Sequence, residues 1–169
     1  ISFSYFGASP ALMGACTERN INLAFCRPNG RFLARATGES NGNVLLRRQQ
    51  YRVADDEMKS CCIAKNMVSG KVFNARWSLE RTLRDHRFQV DTTVLKQASE
   101  NLQRALGEIA KVENLDSLRG LEGEAAARYF DVFDCLLLNN KNMFFFAGRS
   151  RRPPLDPVNA MLSFIYTIL

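Results

Sequence analysis

Apolar residues recur at steps of three or four over long stretches of the chain after residue 55, a period typical of α-helices. The first stretch predicts one long helix over roughly 56–84, which Asp85 and His86 end. Its apolar stripe consists of Met58, Cys61, Ala64, Val68, Val72, Ala75 and Leu79. Asp91 is placed to cap a second helix. The stripe of that helix consists of Leu95, Ala98, Leu102, either Ala105 or Leu106, Ile109 and Val112.

Two further helices are predicted towards the end of the sequence. The third covers about 117–139, with a stripe of Leu118, either Ala125 or Ala126, Tyr129, Phe133 and Leu136. The fourth begins at Pro157, because Asp156 is a good N-cap and proline suits the first helical position. This helix is apolar almost all round, and its polar side chains form one line at Asn159, Ser163 and Thr167. Such a helix is typical of the interior of a large domain.

The first part of the sequence has a different pattern. Ser9 and Pro10 open a short helix over 11–20 by the same cap-and-proline rule. Alternating apolar and polar residues predict a strand over 21–26, and a turn signal separates it from a returning strand over 31–38. The expected unit is a β-hairpin preceded by a helix.

Two segments complete this layout. The apolar run over 1–6 is typical of part of another strand, and the polar, glycine-rich segment over 38–43 is typical of a linker. The fold class is therefore α+β, with a small mixed piece followed by an all-α part. The chain begins at Ile1 rather than Met and stops inside an apolar helix at Leu169, so we expect it to be a fragment of a longer protein.

Composition narrows the class of protein. A chain of 169 residues with 46% hydrophobic residues can bury a real core. The net charge of +6 and the pI near 9.3 favour a polyanionic partner such as nucleic acid, although a modest positive charge also serves solubility. No apolar run reaches the ~18 residues of a membrane span, and no signal peptide is visible. We expect no membrane association and a cytoplasmic location.

The cysteines argue against a disulfide framework and against zinc. They are Cys16, Cys26, Cys61, Cys62 and Cys135, an odd number at irregular spacings. Free thiols in a reducing compartment fit this pattern better than paired ones. A zinc site is not expected, because the sequence has no CxxC motif and His86 is its only histidine.

One carboxylate interrupts an apolar stripe. Glu122 lies four residues before Ala126, where the third helix calls for an apolar side chain, whereas Glu124 lies off the stripe and can pair with Arg128. A core-facing carboxylate is costly unless it is paired or bound to a metal ion. Glu122 is therefore a candidate ligand for Mg²⁺ or Mn²⁺, and the alternative is a buried ion pair with Arg119 or Arg152.

Other candidates have a structural and a functional interpretation each. A basic loop of Arg149, Arg151 and Arg152, stiffened by prolines, can grip phosphates or can simply be solvated. Arg47 and Arg48 are weaker candidates of the same kind. His86 at a helix end is more typical of a cap or a surface residue than of a base. The aromatic run over 144–146 can stack on bases, but an apolar triple beside a helix is usually core.

Three long stretches carry a recognisable pattern: SLRGLEGEAAARYF at 117–130, GRSRRPPLDPVNAMLSFIYTIL at 148–169, and the segment from YFGASPALMG to LLRRQQYR. Together they resemble the CRISPR-associated spacer-acquisition integrases, the Cas-one family, and most closely its type I-C members. The resemblance covers essentially the whole chain in unbroken order. It implies a partial β-rich dimerisation domain over 1–42 and the front half of an α-helical catalytic domain over 43–169.

The resemblance also implies an activity. Members of the family are homodimers that join Cas-two, and in some systems Cas-four, to insert short DNA spacers into a CRISPR array by metal-dependent attack on phosphodiesters. The glutamate of the family's GxEG motif, a Mg²⁺ or Mn²⁺ ligand, maps onto Glu122 in Gly120-Leu121-Glu122-Gly123. The family's other ligands, a histidine and acidic residues, lie downstream of the matched region, and His86 does not match that histidine.

Two interpretations follow from the sequence. The first is a fragment of a DNA endonuclease and integrase, inactive alone, with Glu122 as one metal ligand and Arg149, Arg151 and Arg152 as DNA or structural contacts. The alternative is a non-catalytic module for nucleic-acid binding or assembly with the same fold.

Overall fold

The computed structural model describes residues 1–3, 7–39 and 42–168. These residues form two compact units, one built from 1–44 together with 151–169 and the other from 45–150. The architecture is mixed, with a two-stranded antiparallel sheet and six α-helices in the described part, which confirms the α+β class.

The first unit begins with the predicted helix and hairpin. Helix α1 spans Pro10–Glu18, and the Ser9 hydroxyl caps it by accepting the Leu12 N–H at 3.2 Å. Strands β1 (Leu23–Cys26) and β2 (Phe32–Ala36) pair antiparallel, with a bulge next to Cys26. Both strands are shorter than predicted, since β1 begins at Leu23 rather than at residue 21 and β2 ends at Ala36 rather than at residue 38.

The turn needs a glycine. Gly30 has φ +85°, a left-handed conformation that side chains disfavour, and its N–H donates to the Arg27 carbonyl at 2.8 Å. A Cβ atom at this position would also meet Phe164 and Thr167 at 3.4 Å. The turn is therefore packed closely against the last helix of the chain.

The strand predicted over 1–6 is seen in part. Ser2 forms a parallel bridge with Phe25, in which the Ser2 N–H donates to the Ala24 carbonyl and the Cys26 N–H donates to the Ser2 carbonyl, each at 2.8 Å. Residues 4–6 of this predicted strand lie outside the described residues, as do residues 40 and 41 of the predicted linker.

Helix α6 spans Pro157–Ile168 and belongs to the first unit. The predicted cap is confirmed, since the buried Asp156 carboxylate accepts the Asn159 N–H at 2.7 Å and the Asn159 side-chain amide at 2.6 Å. The Phe164 ring packs 5.8 Å from that of Phe3. The prediction grouped 151–169 with the helical part of the chain, whereas here these residues pack with the hairpin; the domain boundary itself stays a prediction.

The second unit is helical. Its elements are α2 (Val44–Ala54), which starts at the boundary of the units, α3 (Glu57–Asp85), α4 (Thr92–Ile109), α5 (Leu115–Asp131) and a 3₁₀ helix (Phe133–Leu136). The predicted long helix and the Asp91-capped helix are confirmed, and the Asp91 carboxylate accepts the N–H groups of Thr93 and Val94. Helix α2 was not predicted.

The core of this unit lies where α3, α4 and α5 pack together. Its buried members are Val72, Leu79, Leu95, Ala98, Leu102, Ile109, Leu118, Ala125 and Val132, nearly all of them predicted stripe positions. Ala125 is the buried member of its predicted pair, whereas Ala105 and Leu106 both pack partly buried against the core. The prediction of Met58 as a core residue is wrong, because its side chain is 79% exposed at the first turn of α3.

The third predicted helix ends early. Helix α5 stops at Asp131 rather than near residue 139, and the chain tightens into the 3₁₀ helix. The Asp134 carboxylate there accepts the Phe146 N–H at 2.8 Å and pairs with Lys141 at 3.1 Å. The ring of Phe146 packs 5.0 Å from that of Phe133, so the core interpretation of the aromatic run holds for Phe146.

The hydrogen bond and the ion pair of Asp134 make the stability of the second unit depend on pH. Burial on its own would raise the pKa of the Asp134 carboxyl, but the Phe146 N–H and the hydrogen bond and charge of Lys141 outweigh it, so that pKa lies below its usual range. The resulting stabilisation is fully present above the unfolded-state pKa of about 3.9 and is lost as pH falls through the lower folded-state value.

We therefore expect Asp134→Ala to lower the free energy of unfolding by about 1 kcal/mol at neutral pH, the typical net value of a hydrogen bond. The difference from the unsubstituted protein should shrink as pH falls below about 4, where the unfolded-state carboxyl is protonated, and should be lost once pH is below the lower folded-state pKa. Urea unfolding of both proteins at neutral and acidic pH measures this. Asp131→Ala, at an exposed position nearby, is the control, and a difference independent of pH would contradict the argument.

Two further expectations can be compared with the structure. The five cysteines are free, with Cys26 and Cys61 buried and Cys62 exposed. Among the described helices, none combines the length and the apolar character needed to cross a bilayer.

Candidate functional site

Glu122 lies on the side of α5 that faces α3. It follows Leu118 by four residues and precedes Ala125 by three, and both of those residues are buried. Its side chain nevertheless keeps 33% of its surface exposed. The predicted core-facing burial of Glu122 is therefore wrong: periodicity finds the correct side of the helix, but the carboxylate reaches the rim of the packed region.

The charge partner of Glu122 is Lys71 of α3, whose side chain is 58% exposed. Of the predicted alternatives, Arg119 pairs with Asp116 at 2.9 Å instead, and pairing with Arg152 of the other unit stays a prediction. The predicted pair of Glu124 with Arg128 is present, at 3.5 Å. Glu122 is thus in a half-exposed ion pair rather than a buried one.

Glu122 and Lys71 line an open groove between α3 and α5 with a volume of about 360 Å³. Apolar side chains form its floor, with Val68 from one helix and Leu118 from the other. The carboxylate is therefore fixed by helices on a packed core and is also open to solvent. This combination suits a side chain that must meet a ligand from outside.

A divalent cation needs several oxygen or nitrogen ligands. Within the part of the chain that the structure describes, no three His, Cys, Asp or Glu side chains come together in a way that could hold a metal ion. Glu122 therefore fits as one ligand, and the described residues do not make a complete metal site.

The three predicted arginines lie on both sides of the boundary between the two units. Arg149 is half-buried at the end of the second unit, and its guanidinium donates to the Ser150 carbonyl at 2.6 Å. Arg151 and Arg152 are exposed and belong to the first unit. A role of these side chains in DNA binding stays a prediction.

His86 is the C-cap of α3. Its backbone N–H donates to the Thr82 carbonyl at 2.9 Å, and its side chain is exposed. This position agrees with the cap interpretation rather than with a catalytic base.

Sequence reasoning missed two features that the structure makes prominent. Lys71 lies next to Val72 in the stripe of α3, and no spacing rule connects it to a carboxylate 51 positions further on. Helix α2, which carries Arg47 and Arg48, lies where the sequence predicts no helix.

The family model for the CRISPR-associated protein Cas1, the Cas-one family, matches residues 1–169. Two relatives named CRISPR-associated endonuclease Cas1 are 42% identical over 169 residues, in Chlorobaculum tepidum, and 46% identical over 165 residues, in Rhodospirillum rubrum. These matches cover 100% and 95% of this chain and 49% and 47% of the relatives. A Cas4/Cas1 fusion of Rhodospirillum rubrum is 34% identical over 155 residues, covering 90% of this chain and 26% of the fusion.

Solved structures share the fold. A chain of a partial Cas6-RT-Cas1–Cas2 complex is 30% identical with a TM-score of 0.64, covering 95% of this chain and 46% of that one. A casposase bound to its integration product is 19% identical with a TM-score of 0.69, covering 96% and 44%, and supports the fold alone. The chain spans about half the length of the curated relatives it matches. Over that span, by its family match and its identity to named relatives, the chain belongs to the Cas1 family.

Proposed function

We propose that the full-length protein is a metal-dependent DNA endonuclease and integrase of CRISPR adaptation, which inserts short DNA spacers into the CRISPR array. The observation that carries this proposal is the position of Glu122. It stands in the sequence Gly120-Leu121-Glu122-Gly123 and projects from α5 into a solvent-open groove of a chain that matches the Cas1 family throughout.

In this proposal Glu122 supplies one oxygen ligand to Mg²⁺ or Mn²⁺, and the remaining ligands come from outside the described residues. A divalent ion held there would supply positive charge to stabilise the negative charge that develops on a phosphate during phosphodiester chemistry. The half-exposed carboxylate is accessible to a hydrated ion, and the α3–α5 packing beneath it fixes its direction. Lys71 balances the carboxylate charge.

The proposed partners are DNA, a second copy of the protein, Cas2 and Cas4. Support for Cas2 comes from a relative of known structure that is part of a Cas6-RT-Cas1–Cas2 complex, and support for Cas4 from relatives fused to it. The homodimer rests on the family resemblance, and DNA is supported by the net charge of +6.

The alternative is a non-catalytic nucleic-acid-binding or assembly module with the same fold, for which the net charge of +6 is equally suitable. Activity assays on the full-length protein separate the two functions.

The test is strand joining and plasmid nicking in Mn²⁺, in Mg²⁺ and in EDTA. We expect the full-length protein to join and nick DNA only with metal, and the 169-residue chain to do neither, because one carboxylate does not hold a catalytic ion. A full-length protein that is inactive with both ions would overturn the enzyme proposal. Turnover by the 169-residue chain would show that a single ligand from this chain suffices.

A further inference from the structure

Helix α2 presents an exposed basic face that no function described so far uses. At 100° per residue, Arg47, Arg48, Tyr51 and Arg52 fall within an arc of about 140° of the helix. All four side chains are exposed, Tyr51 to 74%. The arc therefore combines three guanidinium groups with one phenolic hydroxyl on a single surface.

The charges of this face are not balanced within the described protein. Helix α2 contains no acidic residue, and none of its three arginines forms an ion pair with an acid in the described ranges. The acids that follow it directly are Asp55, Asp56 and Glu57, of which the Asp56 carboxylate is paired with Lys59 at 2.6 Å.

Several other exposed arginines of the second unit are ion-paired, whereas Arg87 and Arg104 are exposed without an ion pair to a described acid but do not share one helix face. Arg81 and Arg84 pair with Asp85 at 3.5 Å and 2.8 Å, and Arg128 pairs with Glu124 at 3.5 Å. Helix α2 is distinguished by three exposed arginines on a single face without an ion pair in the described part of the chain.

This arrangement is unfavourable for an isolated helix. Arg47 and Arg48 lie near the N-terminus of α2, where the helix dipole repels cations, and Arg48 and Arg52 are like charges at i and i+4. Each effect costs a few tenths of a kcal/mol or more. A polyanion bound along this face would reverse the sign of both effects.

The charges of this face are spaced on the scale of DNA phosphates. Arg47 and Arg52 are separated by about 7.5 Å along the helix axis, a length over which duplex DNA carries about four negative charges and a single strand about two. Three arginines lie between these two values, and a duplex offers the phosphates of two strands to one helix face. The Tyr51 hydroxyl can donate to a further phosphate oxygen.

We infer that Arg47, Arg48 and Arg52 of helix α2 bind the phosphate backbone of duplex DNA, a surface separate from the Glu122 groove. This inference depends on the proposed function only for where the duplex comes from in the cell; the binding itself is argued from the charge and exposure of α2. The contact carries no sequence preference, because it reads phosphates rather than base edges.

The experiment is fluorescence anisotropy of the full-length protein on a short labelled duplex over a series of salt concentrations. The variant is Arg47→Gln with Arg48→Gln and Arg52→Gln, since glutamine keeps the helix propensity. Three lost phosphate contacts should make the slope of log K against log salt shallower by about 2.7, and should weaken binding tenfold or more at ~0.1 M salt.

A matched control removes the same charge from ion-paired arginines, as Arg81→Gln with Arg84→Gln and Arg128→Gln, and should leave the slope unchanged. Equal losses in both variants would mean that only net charge matters and would overturn the inference. An unchanged slope in the α2 variant would also overturn it and would point to an acidic protein partner. If the triple variant does not fold by circular dichroism, Arg48→Gln alone should change the slope by about 0.9. Metal-dependent strand joining, measured in parallel, reports on the proposed function independently of this slope.

Discussion

Replacing Glu122 by alanine in the full-length protein is expected to abolish strand joining and nicking while leaving the fold and DNA binding in place. The loss of activity follows from the proposed ligand role, because the metal ion would lose the oxygen ligand that α5 supplies. Loss of a ligand should reduce turnover by orders of magnitude rather than by a small factor.

The fold is expected to survive because the Glu122–Lys71 pair is exposed. The two side chains keep 33% and 58% of their surfaces in solvent, and ion pairs of this kind contribute about 0–1 kcal/mol. A buried pair would instead leave a stranded charge and cost about 3–5 kcal/mol. The thermal melt in EDTA should therefore change little on Glu122→Ala.

The matched control is Glu124→Ala, which removes a neighbouring carboxylate and its pair with Arg128. We expect this variant to keep its activity. Thermal melts with Mn²⁺ provide a readout apart from turnover, since a bound ion stabilises the folded protein and Glu122→Ala should lose that gain. A Glu122→Ala variant that still joins strands, or that melts far lower in EDTA, would refute the ligand assignment.

Local chemistry made much of the fold predictable. The caps at Ser9, Asp91 and Asp156 each depend on a side chain and on N–H groups two or three positions away. The stripes of α3 and α4 depend only on helical spacing, and the positions predicted as core are buried or packed against the core, with Met58 as the exception.

Two features that do not depend on an apolar stripe or a local cap were not predicted: helix α2 and the end of α5. Helix α2 is polar and buries none of its residues, so it has no stripe to detect and its helicity comes from residue preference. The end of α5 is set by Asp134, whose carboxylate turns to the Phe146 N–H twelve positions away. The spacing of Phe133 and Leu136 fits a continuing helix, and a long-range hydrogen bond overrides it.

For the candidate site, the sequence predicted the helix side of Glu122 but not its depth or its charge partner. Helical periodicity put Glu122 on the correct side of its helix, because that side is fixed by Leu118 and Ala125. The depth of the carboxylate and its pairing with Lys71 depend on how α3 crosses α5, which spacing within one helix does not contain. The spacing within one helix also does not show that the α2 arginines lack ion pairs with the described acids, because this depends on which acids the folded chain brings near them.

The largest expected effect on stability is at Leu102, whose side chain is 0% exposed in the middle of α4. It belongs to the cluster that joins α3, α4 and α5, together with Leu79, Leu118 and Ala125. Leu102→Ala removes apolar contact and leaves a cavity, because helices on both sides hold the surrounding side chains in place. We expect the free energy of unfolding to fall by about 2–5 kcal/mol.

Urea unfolding followed by circular dichroism measures this change, and the transition midpoint should shift at nearly constant slope. The matched control is Leu45→Ala, the same substitution at a position of α2 that is 75% exposed, where we expect a change within about 0.5 kcal/mol. Because helices α3 to α5 also hold Glu122 and Lys71, Leu102→Ala should weaken metal-dependent activity near its transition while Leu45→Ala should not. Equal stability losses at the two leucines would mean that the α3–α5 packing is not the core that supports the site.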